Sequence, residues 1–221
     1  LKAFDKIAEL DLPVIERVKF HRWNLGDGSL ATNDEIGAVP DFTAIGDNPM
    51  LVQVGSQTVL EQLPVDLVEK GVVFTDFASA MDVIPDVLEK YLGVAVAYDE
   101  HKLAAYNTAY FNATAVLYVP DNVEIDQPVE ALFYQDSTSP VAFNKRVLII
   151  AGKNAKLNYL ERFESLGDGA VATSANIIVE VIALAGSQIK FAAIDRLGKH
   201  LDTYLNRRGY LGNDATIDWA I

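Results

Sequence analysis

The sequence predicts a mainly β protein whose core is a parallel β-helix, preceded by a mixed α/β N-terminal region. Three observations favour this fold class. A short turn template recurs along the last third of the chain, strand-like alternation follows each copy, and apolar strand-forming residues precede most copies. Strand–turn–strand units that recur with a period of about 20–50 residues are typical of solenoid proteins.

The template is a glycine, two small or polar residues and then the alternation. Its clear copies begin at Gly152, Gly186 and Gly212, and a fainter copy without glycine begins at Asp121. The turns recur roughly every 26 to 34 residues, which is within the range of solenoid repeats. Glycine is the residue that most readily adopts the positive φ of a sharp corner, so each glycine is predicted to form a corner.

The alternation after each glycine predicts strands with one buried face and one solvated face. Stacked coils would bury the apolar face of each strand against its neighbours. The residues predicted to be mainly buried are Val147, Ile149, Leu157, Tyr159, Ile178, Ile189, Phe191, Ile217 and Trp219. A stacked β-sandwich is the rival interpretation. An ordinary antiparallel meander would fit each unit singly but leaves the shared turn template unexplained, and both remain alternatives.

The region before the repeats is predicted to contain helices and a hairpin. An amphipathic stretch that includes Phe4 and Ile7 precedes Pro13, and residues 52–60 form a hairpin that turns at Gly55. Thr75 is expected to cap a helix over residues 76–81, and further helices are predicted over 84–91 and 102–111. After Asn112 the period becomes two, so we divide the chain into an α/β region, 1–111, and a β-helix core, 112–221.

Composition narrows the possible functions. The chain has 221 residues with 18 basic and 31 acidic side chains, a net charge of −13. This balance argues against a nucleic-acid partner, because phosphates require clusters of Lys and Arg. A membrane-surface patch is not expected either, since no run of Lys or Arg is longer than Arg207-Arg208. No apolar run reaches the roughly 18 residues of a membrane helix.

The absence of cysteine excludes disulfides, thiolate metal sites and cysteine nucleophiles within these residues. It fits a cytoplasmic location. The chain begins at Leu1 and stops at Ile221 inside a strand pattern, so we expect a fragment of a longer protein. An unpaired strand at such an end would favour self-association through residues about 200–221.

Few residues in the sequence are candidates for metal binding, cofactor binding or catalysis. His21, His101 and His200 lie in separate segments without metal-ligand spacing, so neither a metal site nor a bound cofactor is predicted. No phosphate-binding loop is present, and no catalytic residue is assigned. The sharpest polar cluster is Asn206, Arg207 and Arg208, which could bind an anion or a partner's carboxylate, although a solvated surface is the simpler interpretation.

Paired carboxylates are the usual catalysts of β-helix enzymes that act on polysaccharides. The candidate sites in this sequence are Asp195 with Arg196, Glu161 with Arg162, and Asp214 with Asp218. Asp218 is expected on the solvated face of its strand. Sequence alone cannot show whether two carboxylates converge in a cleft, so a carbohydrate-active enzyme remains one hypothesis.

Several segments, in order, resemble the SufB/SufD family. They are Gly71-Val-Val-Phe-Thr-Asp-Phe with Leu88-Glu-Lys-Tyr-Leu92, Asn107-Thr-Ala-Tyr-Phe-Asn112 with Leu117-Tyr-Val-Pro-Asp-Asn-Val123, and Arg146-Val-Leu-Ile-Ile-Ala151. The resemblance extends from about residue 65 to the end of the chain. The lack of cysteine and the short N-terminal region are closer to the SufD branch of the family.

The resemblance implies a right-handed parallel β-helix and a non-catalytic subunit of the Suf complex, which assembles iron–sulfur clusters. It also implies pairing with a SufB-like protein and binding to a SufC-like ATPase, with the cluster held only transiently in the full complex. Family members are about twice as long as this chain, so no metal ligand is carried over. A third hypothesis is a purely structural β-solenoid adaptor.

Overall fold

The computed structural model describes residues 2–20, 23, 39, 46–167, 169 and 171–221. In the N-terminal region, the elements are α1 (Lys2–Glu9), β1 (Met50–Val54), β2 (Gln57–Gln62), α2 (Val65–Glu69), β3 (Val73–Thr75), α3 (Phe77–Val83), α4 (Pro85–Tyr91) and α5 (Lys102–Tyr110). The prediction of a mixed α/β region is confirmed. Within the described residues, no helix is long and apolar enough to cross a membrane.

In the part of residues 113–221 that the structure describes, strands joined by turns are the regular elements. They are β4 (Ala113–Val119), β5 (Val129–Asp136), β6 (Phe143–Ala151), β7 (Lys156–Leu166), β8 (Thr173–Ala183), β9 (Gln188–Arg196), β10 (Leu201–Leu211) and β11 (Thr216–Ala220). Successive strands alternate between two sheets, and every pair formed among these eight strands is parallel. The predicted parallel β-helix is therefore confirmed, as a solenoid of about three turns.

The two sheets extend into the N-terminal region. The first sheet has the strand order β11-β9-β7-β5-β1-β2, and the second has the order β10-β8-β6-β4-β3. The hairpin β1–β2, predicted to turn at Gly55, joins the first sheet through a parallel pairing of β1 with β5. The N-terminal hairpin and the solenoid therefore share one continuous sheet and one core.

The two sheets differ in what covers their outer faces. Helices α3 and α4 pack on the outer face of the second sheet, where Ala80 and Leu88 contact Leu148, Ile150 and Ile182. Helix α5 and the segment after α4 cover the rest of this face, and every residue of β6 and β8 is buried. In β7, buried and more exposed residues alternate, because the outer face of the first sheet is open to solvent there.

The predicted buried residues are mostly confirmed. Tyr159 and Phe191 lie inside the solenoid, with ring centroids 5.3 Å apart. Ile178 is also buried, but on the outer face beneath α5, where it contacts Val96 and Ala104. Trp219 is 36 % exposed, so the prediction that it is mainly buried is wrong. Its ring packs on Phe191 from one side only, since β11 is the outermost strand of the first sheet.

The corner residues correct the glycine prediction. Each of the four turns predicted from the template contains one residue with a left-handed φ angle: Asn122, Asn154, Gly186 and Asp214. Of the template glycines, only Gly186 has a positive φ. Gly152 is needed for another reason. A Cβ there would lie 2.5 Å from the backbone nitrogen of Asp121 on the preceding coil, so only glycine fits without a shift.

Hydrogen bonds between coils show which corner residues are equivalent. The amides of Asn122, Asn154 and Gly186 each donate to the next coil in the same way, so Gly186 corresponds to Asn154 and not to Gly152. The alignment of the copies on their glycines is therefore wrong by two residues at Gly186. Strand faces have a period of two, so the shift left the predicted inward residues unchanged.

Two helix details also differ from prediction. Asp76, rather than Thr75, caps α3, because its carboxylate accepts a hydrogen bond from the amide of Ser79 at 2.9 Å. The Thr75 hydroxyl belongs to β3 and donates instead to Glu61. In α1 the most buried residue is Ala3, while Phe4 is 56 % exposed. Pro85 begins α4 as predicted, and Gly93 follows it with a φ of 82°.

Candidate functional site

Charged and polar side chains lie inside the solenoid, at positions where alternation predicts apolar residues. Lys145 on β6, Glu161 on β7 and Arg207 on β10 all point inward, because their neighbours two residues away belong to the interior core. Charged groups are rarely buried unless they are paired. This interior polar network, defined by Gln53, Lys145, Tyr159, Glu161, Asp195 and Arg207, is the candidate functional site.

Lys145 is the most enclosed member of the network. Its ammonium nitrogen donates a hydrogen bond to the Gln53 side-chain oxygen and lies 3.8 Å from the centroid of the Phe133 ring. Gln53 is held in turn by hydrogen bonds from its amide nitrogen to Thr58 and to the Thr114 carbonyl, both 2.9 Å long. Burial lowers the pKa of Lys145 well below its usual value, and the charge of Glu161 only partly opposes this.

Glu161 lies at the centre of a second group. Arg207 Nε donates to one of its oxygens at 2.7 Å, and the Tyr159 hydroxyl lies 3.3 Å from the other. Burial raises the pKa of Glu161 from 4.5 to about 7, although the Arg207 charge acts in the opposite direction. Burial also raises the pKa of Tyr159 well above its usual value, which keeps this hydroxyl protonated as a donor.

Arg207 connects this group to the surface. Its two terminal nitrogens donate to the two oxygens of Asp195, at 2.9 and 2.7 Å, in the bidentate geometry that Arg favours with carboxylates. Burial disfavours the charged guanidinium, but the hydrogen bonds and charges of Asp195 and Glu161 outweigh it and raise the pKa of Arg207. The Asp195 side chain is 31 % exposed and gives the group contact with solvent.

Two groups of the network have pKa values shifted toward neutral pH. Burial raises the pKa of Glu161 to about 7 and lowers the pKa of Lys145, so both shifts favour the uncharged forms. It is not arranged as a metal site. Among the residues that the structure describes, no three His, Asp, Glu or Cys side chains are grouped to hold a metal ion. Each carboxylate of the network is already bonded to Arg207.

The proposed carboxylate pairings of the polysaccharide hypothesis are not formed as adjacent pairs. Glu161 points into the solenoid, while Arg162 bonds to Glu164 at 2.7 Å. Asp195 bonds to Arg207 rather than to Arg196. Asp214 occupies a corner with a φ of 58°, and Asp218 lies exposed on β11, as its alternation predicted.

The predicted surface cluster of Asn206, Arg207 and Arg208 is divided between the two faces of β10. Arg207 faces inward and is unavailable to a partner. Arg208 faces outward, bonds to both oxygens of Glu100 at 2.7 Å, and also donates to the Ala95 carbonyl. Asn206 donates to the Tyr204 hydroxyl at 3.2 Å. A role of this strand in partner binding stays a prediction, carried by its outward residues.

The histidines have local structural roles where they are described. The His101 Nδ1 accepts a hydrogen bond from the amide of Ala104 and so caps α5, and its Nε2 lies 3.1 Å from the Tyr204 hydroxyl. Burial lowers the pKa of His101. His200 occupies a turn with a φ of 59°. His21 lies outside the described residues.

A second buried polar group was missed in the sequence. Arg146 and Glu180 form an ion pair on the helix-covered face of the second sheet. The Asn107 amide of α5 joins them, because its oxygen accepts from Arg146 and its nitrogen donates to the carbonyls of Lys145 and Asn176. The available signal was the presence of charged residues within otherwise apolar strand runs.

Two protein-family models match this chain, and together they cover nearly all of residues 47–221. The model of the SufBD protein N-terminal region matches residues 47–131, and the model of the SUF system FeS cluster assembly SufBD core domain matches residues 133–221. The two matches meet near the middle of β5 and together cover the hairpin, the helices α2–α5 and the solenoid.

Individual relatives agree with these matches. The iron–sulfur cluster assembly protein SufD of Bacillus subtilis is 33 % identical over 234 residues, which cover 100 % of this chain and 53 % of the relative. An iron–sulfur cluster assembly SufBD family protein of Staphylococcus haemolyticus is 27 % identical over 76 % of this chain and 36 % of the relative. A Staphylococcus aureus member is 26 % identical over the same shares. The chain spans about half the length of the Bacillus relative.

Proposed function

Since this chain belongs to the SufB/SufD family of iron–sulfur cluster assembly proteins, we propose that it acts as a scaffold subunit of the Suf system. The observation that carries the proposal is the order of the two family matches, N-terminal region and then core, over residues 47–221. The parallel solenoid, to which both matched regions contribute strands, supports it. The iron–sulfur cluster is the cargo of such a subunit.

The proposed partners are a SufB-like protein and a SufC-like ATPase, and the proposed location is the cytoplasm. A subunit role fits the solenoid, because the outer face of its first sheet is open to solvent at β7 and offers a surface to other chains. It also fits the similarity to SufD of Bacillus subtilis over the whole of this chain.

We further propose that the subunit is non-catalytic. The two buried carboxylates are each bonded to an arginine, Glu161 to Arg207 and Glu180 to Arg146, which favours a structural role for them. The alternatives of a carbohydrate-active enzyme and a structural adaptor outside iron–sulfur assembly have no specific observation in their favour.

Affinity purification of the intact natural protein from its own cells tests the partners. We expect a SufB-like protein and an ABC-type ATPase to co-purify in fixed ratio. In parallel, deletion of the gene should lower the activity of iron–sulfur enzymes, and the wild-type gene should restore it. Full activity in the deletion strain, together with purification of the protein without those partners, would overturn the proposal.

A further inference from the structure

An apolar groove lies at the end of the second sheet, between α2 and α3. We call it the α2–α3 groove; it has a volume of about 590 Å³ and its apolar lining includes Leu63, Val68, Val72, Phe74, Val83 and Ile84. Its floor is β3, the outermost strand of that sheet. The groove is remote in the fold from Arg207, which lies on β10 at the opposite edge of the same sheet.

Two valines that line the groove are more than half exposed to solvent. Val68 of α2 is 54 % exposed and Val83 of α3 is 66 % exposed, whereas Val72 and Phe74 beneath them are buried. Single exposed apolar residues are common, but apolar side chains that share one concave surface are typical of interaction sites.

The charges around the groove are strongly biased. Residues 46–100 contain ten Asp and Glu but only two basic residues, Lys70 and Lys90. The acidic residue that lines the groove itself is Glu61. Glu69 and Asp82 are exposed and adjoin the lining residues Val68 and Val83 in sequence, and the charge of Lys70 is paired with Asp66 at 3.3 Å. An apolar groove with an acidic rim therefore complements a segment that carries apolar residues beside basic ones.

We propose that the α2–α3 groove binds a segment of a partner protein in which apolar side chains are flanked by Lys or Arg. A second copy of this chain is disfavoured because it would bring the same acidic rim and a net charge of −13. An anionic membrane surface is disfavoured for the same reason. The inference goes beyond the Suf proposal and does not depend on which partners that system supplies.

The test uses the intact natural protein and two synthetic fourteen-residue peptides, measured by fluorescence anisotropy. Both peptides have leucines at spacings of three and four; one has Lys at the remaining charged positions and the other has Glu. We expect the Lys peptide to bind, with an affinity that falls as salt is raised, and the Glu peptide to bind at least about tenfold more weakly.

Matched variants locate the binding. The double substitution Val68→Asp with Val83→Asp should weaken binding of the Lys peptide at least about tenfold. Val14→Asp, the same substitution at an exposed valine outside the groove, should not weaken it. Glu69→Lys with Asp82→Lys should weaken binding and flatten its salt dependence, while Asp126→Lys should not. Circular dichroism confirms folding, and the charge-reversed pair retains the test if the aspartate pair unfolds.

Three results would overturn the proposal. The first is equal binding of the Lys and Glu peptides, or binding that both groove variants leave unchanged. The second is failure of the Lys peptide to bind the intact protein, the result expected if the protein's own chain covers the groove. The third is a concentration-dependent dimer that is lost in the aspartate pair, which would identify a second copy as the occupant.

Discussion

Arg146 Nη2 lies 2.5 Å from Glu180 Oε1, and the two side chains are buried between the second sheet and the N-terminal helices. The Glu180 carboxylate also accepts hydrogen bonds from the amides of Gly93, Ala95 and Val96, at 2.9–3.0 Å. Arg146 donates to the Val96 carbonyl at 3.0 Å. The ion pair therefore holds the segment after α4 against the solenoid, although Glu180 is more than 80 positions away from this segment in the sequence.

Removing one partner of this pair should be costly. Glu180→Leu leaves the Arg146 charge and three amides unpaired, so we expect a loss of about 3–5 kcal/mol in the free energy of unfolding, measured by urea denaturation. The exposed pair of Glu124 with Lys156 is the control, and Glu124→Leu should cost less than about 1 kcal/mol. Similar costs for the two substitutions would contradict this account.

The stability of the protein should depend on the protonation of Glu161. Because burial raises its pKa from 4.5 to about 7, the folded state binds this proton more tightly than the unfolded state. Its stabilising contribution is therefore fully present below pH 4.5 and is lost as the pH rises through about 7. The shift corresponds to at most about 3 kcal/mol.

The pKa values of His101 and Lys145 are lowered in the folded state, so their contributions to stability rise with pH and oppose that of Glu161. Comparing wild type with a Glu161 variant isolates the Glu161 contribution. We expect the free energy of unfolding of wild type, minus that of Glu161→Gln, to fall between pH 5 and pH 8. A flat curve for Glu161→Gln would refute the assignment.

Phe191 should be the more costly of two stacked aromatics to remove. It is fully buried, with its ring centroid 5.3 Å from that of Tyr159 and 4.6 Å from that of Trp219. Phe191→Ala should therefore lower the free energy of unfolding by about 3–5 kcal/mol through the cavity it leaves. Trp219→Ala should cost less, because that ring is already partly solvated; equal losses in urea denaturation would argue against this packing.

Gly152 should not tolerate a side chain even though its φ is not left-handed. The Cβ of alanine would meet backbone atoms of the preceding coil at 2.5–2.6 Å, and backbone cannot move as a flexible side chain can. We expect Gly152→Ala to cost about 1–3 kcal/mol in thermal or urea denaturation. Lys153→Ala, at the next and exposed corner position, should change stability by less than about 0.5 kcal/mol. An unaffected Gly152→Ala would show that the coils can separate locally.

Much of the solenoid follows from local patterns. Alternation in β7 and β9 was enough to place Leu157, Tyr159, Ile189 and Phe191 inside, because a strand has only two faces. The continuous apolar run of β8 has a different cause, since helices cover its second face. The order of motifs in the chain was also sufficient for the family, which the comparisons confirmed.

The sequence did not determine the buried charges or their partners. Alternation assigns Arg207 to a face, but its bond to Glu161 joins residues 46 positions apart and depends on how the coils stack. The same holds for the pairing of Arg146 with Glu180 and for the α2–α3 groove, which exists only because two short helices flank an edge strand. By itself the sequence determined the repeated strands, their inward faces and the family. The tertiary structure decided the ion pairs and the exposed surface, because both depend on distances between groups that no local pattern encodes.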